Sequence, residues 1–248
     1  MSNKTALVTG GMGGIGTAIC QQLAREGIKV IASYNRGGDH EAARLWREEQ
    51  LKLGYDIAIR YVDVADFSSC EKMIKNIEED FKGIDILINN AGITRDVQLY
   101  KMNLEQWRAV LQTNLDSIFN VTRHVINGMI ERGYGRIINI SSINGQKGQF
   151  GQTNYSSAKA GIHGFTKSLA QEVARKGITV NTISPGYIAT PMVMSVADDI
   201  REKIIAQIPV GRLGKPEEVA HAVIFLVGES SGFITGSNLT INGGQYLI

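Results

Sequence analysis

The sequence predicts an α/β fold: one doubly wound parallel sheet with helices on both faces. Three observations predict it. Apolar runs of strand length alternate with helical periodicity along the chain, a glycine-rich turn joins the first strand to the first helix, and no linker, repeat or low-complexity tract interrupts the series. Strands separated in this way by helices pair in parallel through right-handed crossovers. The 248 residues, 43% hydrophobic and 20% charged, suit a single domain spanning 1–248.

Lys4-Thr5-Ala6-Leu7-Val8-Thr9 reads as a buried first strand. Gly10-Gly11-Met12-Gly13-Gly14-Ile15-Gly16 turns the chain, and a helix carrying Ile19, Leu23 and Ala24 runs to Gly27. Further strands are expected at 30–32, 57–59, 84–88, 137–140, 178–180 and 238–241, with helices near 40–53, 67–81, 104–131, 153–176 and 216–228. Only residues 187–214 break the alternation. They follow Pro185-Gly186, carry Met192 and Met194, and read as a helical lid.

Composition narrows the function classes. A net charge of +2 gives no reason to expect nucleic acid or an anionic membrane surface. No apolar run approaches the length of a membrane span. Met1-Ser2-Asn3-Lys4 leads directly into the first strand, so no targeting segment is expected and the predicted location is cytoplasmic. Cys20 and Cys70 fall in helical patterns and read as small buried hydrophobes of a reducing compartment. His40, His124, His163 and His221 are scattered without metal spacing, so no metal site is expected. Arg132, Arg136, Arg175 and Lys176 form either a docking face for an acidic carrier or phosphate, or a solvated charged face.

Two clusters carry chemistry. A glycine-rich turn between strand and helix aims backbone N–H groups and the helix dipole at a pyrophosphate, here with the spacing Gly10, Gly14, Gly16. The second strand then ends Ala32-Ser33-Tyr34-Asn35-Arg36, with no acid to bind a ribose 2′-hydroxyl and an arginine able to take a 2′-phosphate. Asp39 lies too far along the loop to reverse that preference, so Asn35 and Arg36 point to NADPH (NADP). Later, Tyr155 and Lys159 stand four residues apart on one helix face, where an ammonium lowers a phenol's pKa toward use as a general acid. Ser142, from a separate loop, adds a second hydrogen-bond donor.

These motifs resemble the short-chain dehydrogenase/reductase family over essentially the whole chain. Thr9-Gly10 through Gly14 and Gly16 is similar to its cofactor turn, including Met12, Gly13 and Ile15. Asp63-Val64 is similar to its adenine-contacting acid, and Asn89-Asn90-Ala91-Gly92 to its fourth-strand signature. Asn114, Ser142, Tyr155 and Lys159 match its catalytic tetrad. Pro185-Gly186, with Ile188 and Thr190, matches the segment that meets the nicotinamide carboxamide. The resemblance implies a Rossmann-type sheet of about seven strands, a homotetramer, and hydride transfer to a carbonyl. In that reaction Tyr155 gives the proton, Ser142 binds the oxygen, Lys159 grips the nicotinamide ribose and lowers the phenol's pKa, and Asn114 holds a water behind Lys159.

Within the family, Asn90-Ala91-Gly92-Ile93-Thr94-Arg95-Asp96 resembles bacterial reductases of 3-oxoacyl thioesters. The loop 144–155 resembles their coenzyme-A-dependent branch, which reduces acetoacetyl-CoA for polyhydroxybutyrate synthesis. That resemblance implies an acyl-CoA thioester substrate met by Asp96, Lys101, Ser142, Gln149, Phe150, Gln152 and Tyr187, with Phe150 limiting the acyl pocket. The carrier-protein branch of fatty-acid synthesis is the alternative, and a dinucleotide sensor without chemistry is the alternative of another class. The strand-two loop 35–39 and Pro191 depart from the branch pattern.

Overall fold

Parallel strands covered by helices on both faces are continuous apolar runs, and the apolar runs of this chain become such strands. The computed structural model describes residues 3–247. Its seven strands are β1 (Thr5–Val8), β2 (Lys29–Tyr34), β3 (Ile57–Tyr61), β4 (Ile86–Asn89), β5 (Gly135–Ile140), β6 (Ile178–Pro185) and β7 (Asn238–Ile241). They form one parallel sheet in the order β3-β2-β1-β4-β5-β6-β7. The expected strand at 84–88 is shifted to β4, and the one at 178–180 extends to Pro185.

The helices are α1 (Gly14–Arg25), α2 (His40–Lys52), α3 (Phe67–Phe81), α4 (Leu104–Leu111), α5 (Ser117–Arg132), α6 (Asn144–Lys147), α7 (Thr153–Val173), α8 (Pro191–Met194), α9 (Asp198–Ala206) and α10 (Pro216–Val227). Two cores sandwich the sheet. Ala6, Val8, Ile86, Ile88 and Ile138 pack with Ile19 and Leu23 of α1 and Val223 of α10. Leu7, Leu87 and Ile137, one residue out of phase, pack on the other face with Ile77 of α3, Val125 of α5 and Val173 of α7. This period of two is the pleat expressed as burial. Cys20 and Cys70 are buried and unpaired, as expected.

The expected helix at 104–131 is not one α-helix. It divides into α4 and α5 around a π-helical turn, Gln112–Asp116, which holds Asn114. The helix expected to end at 176 stops at Val173 and finishes as a 3-10 turn, Ala174–Lys176. Residues 187–214 form α8, α9 and their connections. The segment is pinched at its base: Ile188 bridges Gly214, and Gly214 donates its N–H to Tyr187 O at 2.9 Å.

The chain runs outward from β1 to β2 and β3, then returns across β1 to build β4–β7. The strand order therefore reverses between β1 and β4, and a crevice opens above their C-terminal ends. Thr9 and Asn90 sew its floor. Asn90 and Ala91 donate their N–H groups to Thr9 Oγ1 at 3.0 and 3.1 Å, and Asn90 Nδ2 donates to Thr9 O at 3.0 Å and Gly10 O at 3.1 Å.

Candidate active site

A cleft of about 900 Å³ occupies this crevice. The turn before α1 lines it. Asp39, Asp66 and Asn103 cap α2, α3 and α4 through their side chains, whereas Gly13 at the start of α1 provides no such cap. The first-turn N–H groups of α1 thus face the cleft without a side-chain acceptor, and no acid occupies that turn. Gly16 is required by close approach: a Cβ there would lie 2.3 Å from Gly10 O. A pyrophosphate fits this donor set. Gly10, Met12, Gly13, Gly14, Ile15 and Gly16 all line the cleft.

Asp63 and Val64 after β3 and Asn90, Ala91 and Gly92 after β4 also wall the cleft. Tyr34 ends β2 where an acid would bind the ribose. Its hydroxyl hydrogen-bonds His40 Nδ1 at 2.8 Å, and both rings meet Tyr61 edge-on. Asn35 also lines the cleft, with its Oδ1 accepting from Gly37 N–H. Asp39 is held as the cap of α2, accepting from Ala42 N–H at 2.9 Å. The Arg36 side chain lies outside the described residues.

The far end holds Ser142, Tyr155 and Lys159, with Pro185, Gly186 and Thr190 as the opposite wall. Ile188 does not join that wall; it is buried beneath the lid base, bridged to Gly214. Ser142 Oγ accepts from Asn144 N–H at 3.1 Å, which leaves the hydroxyl proton free to point outward as a donor. Tyr155 rides the first turn of α7. Asn154 beside it is fully buried and ties that turn down, donating to Arg95 O at 3.1 Å and Gln106 O at 3.3 Å. Lys159, one turn on, donates from Nζ to Ile140 O at 2.8 Å and is only 4% exposed. Asn114 stands behind it, its amide doubly bonded to the backbone of Ile93 at 2.8 Å each way.

Gly92 lets these parts converge. A Cβ there would sit 3.2 Å from Asn114 Oδ1 and 3.5 Å from Lys159 Nζ. Asn114 therefore braces the π turn against the loop after β4.

Electrostatics correct one expectation. Burial pushes the Tyr155 phenol up to about 12; the Ser142 hydroxyl pulls the other way, and the Asp96 charge adds to the rise. The expected lowering by Lys159 is absent, because the ammonium turns to Ile140 O, with Nζ 5.6 Å from the phenol ring centroid. A phenol of this kind stays protonated through neutral pH, the state required of a proton donor. Burial lowers the Lys159 ammonium to about 8.

The expected substrate residues fall beside the cleft rather than on its lining, Ser142 excepted. Gln152 Nε2 donates to Asp96 Oδ2 at 2.7 Å, so these two brace each other. Lys147 Nζ reaches Gln149 Oε1 at 3.3 Å, and Lys101 Nζ lies over the Tyr100 ring. Phe150 is 80% exposed. Tyr187 is partly buried, and burial and Asp96 raise its pKa.

Sequence reasoning passed over the Ile140 carbonyl and Asn144. It also passed over Ser141, whose Oγ donates to Lys159 O at 2.8 Å and hydrogen-bonds His163 Nε2 at 3.0 Å. Only a polar residue after an apolar strand hinted at Ser141 and Asn144; a backbone carbonyl carries no signal. Two of the candidate docking cations are engaged inside the fold. Arg136 is buried, donating to Gly135 O and Gly177 O, and Arg132 donates to Ile84 O at 2.6 Å. Both lie at the opposite end of the sheet from the cleft.

An uncapped helix over a crevice at the sheet's reversal point, with a phenol, a hydroxyl and a buried ammonium at its far end, defines a dinucleotide-dependent oxidoreductase. Residues 4–201 match the short chain dehydrogenase family, and the chain belongs to it. It is an oxidoreductase with a nicotinamide dinucleotide cofactor. Among its relatives, an acetoacetyl-CoA reductase of Cupriavidus necator is 55% identical over 247 residues, covering 100% of each chain. Nodulation protein G of Azospirillum brasilense is 56% identical, covering 98% of each. A 3-oxoacyl-[acyl-carrier-protein] reductase of Vibrio cholerae is 45% identical, covering 100% of this chain and 99% of its own. No helix among the described residues is long and apolar enough to cross a membrane, and no group of three or more His, Cys, Asp or Glu side chains among them could hold a metal.

Proposed function

We propose that this enzyme reduces acetoacetyl-CoA to (R)-3-hydroxybutyryl-CoA with NADPH, as a step of polyhydroxybutyrate synthesis, and that it works as a homotetramer in the cytoplasm. The observation that carries the chemistry is the convergence of Ser142, Tyr155 and Lys159 at the inner end of the cleft. Full-length similarity to acetoacetyl-CoA reductases at 49–55% identity supports the substrate.

The α1 turn holds the pyrophosphate, Asp63 and Val64 flank the adenine, and Lys159 holds the nicotinamide ribose. Bound there, the reduced nicotinamide supplies the hydride that reaches the 3-keto carbon. Ser142 donates a hydrogen bond to the ketone oxygen, a contact typically worth ~2.7–4 kcal/mol as charge develops there. Tyr155 gives that oxygen its proton, and the Ser142 hydroxyl, which pulls the phenol's pKa down, stabilises the phenolate left behind.

The carrier-protein reading is less well served. The 3-oxoacyl-[acyl-carrier-protein] reductase is the more distant relative at 45% identity, and Arg132 and Arg136, engaged within the fold far from the cleft, favour neither a carrier nor a coenzyme A phosphate. The test is kcat/KM for acetoacetyl-CoA against acetoacetyl-carrier protein with each of NADPH and NADH. A strong preference for the carrier thioester overturns the substrate assignment, and no turnover with either would favour a sensor.

A further inference from the structure

Asn144 opens α6 two residues after Ser142 and is buried. Its side chain belongs to a polar chain whose direction is fixed. Asp96 can only accept, so Gln152 must turn Nε2 toward it, at 2.7 Å. Gln152 Oε1 then faces Asn144, which must present Nδ2, at 2.9 Å. The amide orientation follows from the carboxylate, and Asn144 Oδ1 is left over: buried, and with no hydrogen-bond partner. Buried acceptors without donors are rare and costly, and this one calls for a partner.

The backbone indicates which partner. Ile143 N–H donates to Pro185 O at 2.8 Å, so the start of α6 runs beside the segment entering the lid. Tyr187 comes two residues later, and its phenol lies close to the Asn144 side chain.

We propose that Asn144 and Tyr187 form a clasp between the loop carrying Ser142 and the root of the lid. Asn144 is a positioning residue, and the pair sets the wall against which the thioester lies. When the Tyr187 hydroxyl turns to Asn144 Oδ1, the chain Asp96–Gln152–Asn144–Tyr187 links the exit loops of β4, β5 and β6. A pantetheine arm then meets a wall fixed on three sides. The functional part of this inference rests on reading the cleft as a 3-ketoacyl thioester site.

The test is a double-mutant cycle. Asn144→Leu and Tyr187→Phe each raise KM for acetoacetyl-CoA about tenfold, with NADPH binding unchanged and kcat nearly so, and the double variant is no worse than the worse single. Multiplying effects overturn the clasp. A fall in kcat at constant KM in Asn144→Leu also overturns it, since that would be the mark of a displaced Ser142. Asn144→Ser replaces Asn144→Leu in the cycle if the leucine variant does not fold. The same four proteins are followed by thermal unfolding. If the wild type does not reduce acetoacetyl-CoA, the substrate reading fails, and additivity or non-additivity of the melting shifts still decides the clasp.

Discussion

Lys159 Nζ donates to Ile140 O at 2.8 Å, so the active-site ammonium is anchored on the strand that leads into Ser142. Proton transfer of this kind depends on fixed distances, and here one backbone carbonyl ties the two halves of the catalytic set together. Burial lowers the Lys159 pKa to about 8, so the amine is still charged at neutral pH.

The first prediction is a one-sided pH profile. Below about 8 Lys159 is charged and Tyr155, raised to about 12, is protonated, so reduction is insensitive to pH. Above that value Lys159 loses its proton, and kcat/KM falls by up to about tenfold per pH unit. Steady-state rates from pH 6 to 10 check this; Lys159→Met should be slow and lack the limb. A wild-type rate that keeps rising to pH 10 contradicts it.

Tyr155→Phe removes the proton donor and leaves the ring. Reduction should fall at least about 100-fold, while cofactor affinity, read by nicotinamide fluorescence, changes little. Retention of more than a few per cent of kcat removes Tyr155 from proton transfer.

Asn114 and Gly92 offer a test of bracing. Asn114→Ala strands the N–H and C=O of Ile93, and a loss of about 1–3 kcal/mol in denaturant titration is expected. Gly92→Ala places a methyl between Asn114 Oδ1 and Lys159 Nζ, so it should lower kcat more than stability. Equal activity in Gly92→Ala and the parent would show that this convergence is not needed.

Cofactor choice is tested at Tyr34. Tyr34→Asp puts a carboxylate at the end of β2; it should repel a 2′-phosphate, weaken NADPH by about tenfold or more, and improve NADH. Parallel Kd measurements for both cofactors decide; equal shifts in both would show that this position does not read the 2′-phosphate.

Phe67 and Phe119 stack on one surface, and Phe225, Phe233 and Leu247 are exposed elsewhere. The proposed tetramer would cover part of this apolar surface. Light scattering at micromolar concentration should return the mass of a tetramer, and a monomer mass excludes it.

The sheet was legible because strands buried on both faces, such as 137–140, are unbroken apolar runs, and the glycine turn was legible because its context is strand, turn and helix. The π turn at Asn114 was not: an extra residue in a helix leaves the apolar pattern of 104–131 nearly intact, and only the backbone hydrogen bonds reveal it. The direction of the Tyr155 shift was misjudged because spacing reports a nearby charge and says nothing of burial. Phe150 was read as a wall because it lies near Tyr155 in sequence, yet its side chain faces solvent.

The pinch between Ile188 and Gly214 has an evolutionary consequence. The chain leaves β6 and comes back beside its exit point before entering α10, so everything between is an insert whose ends are already joined. Lengthening such an insert costs little, since closure entropy grows only with the logarithm of its length. New acyl selectivities can thus arise by exchange of a cassette, while the elements that carry Ser142, Lys159 and the dinucleotide turn stay unaltered.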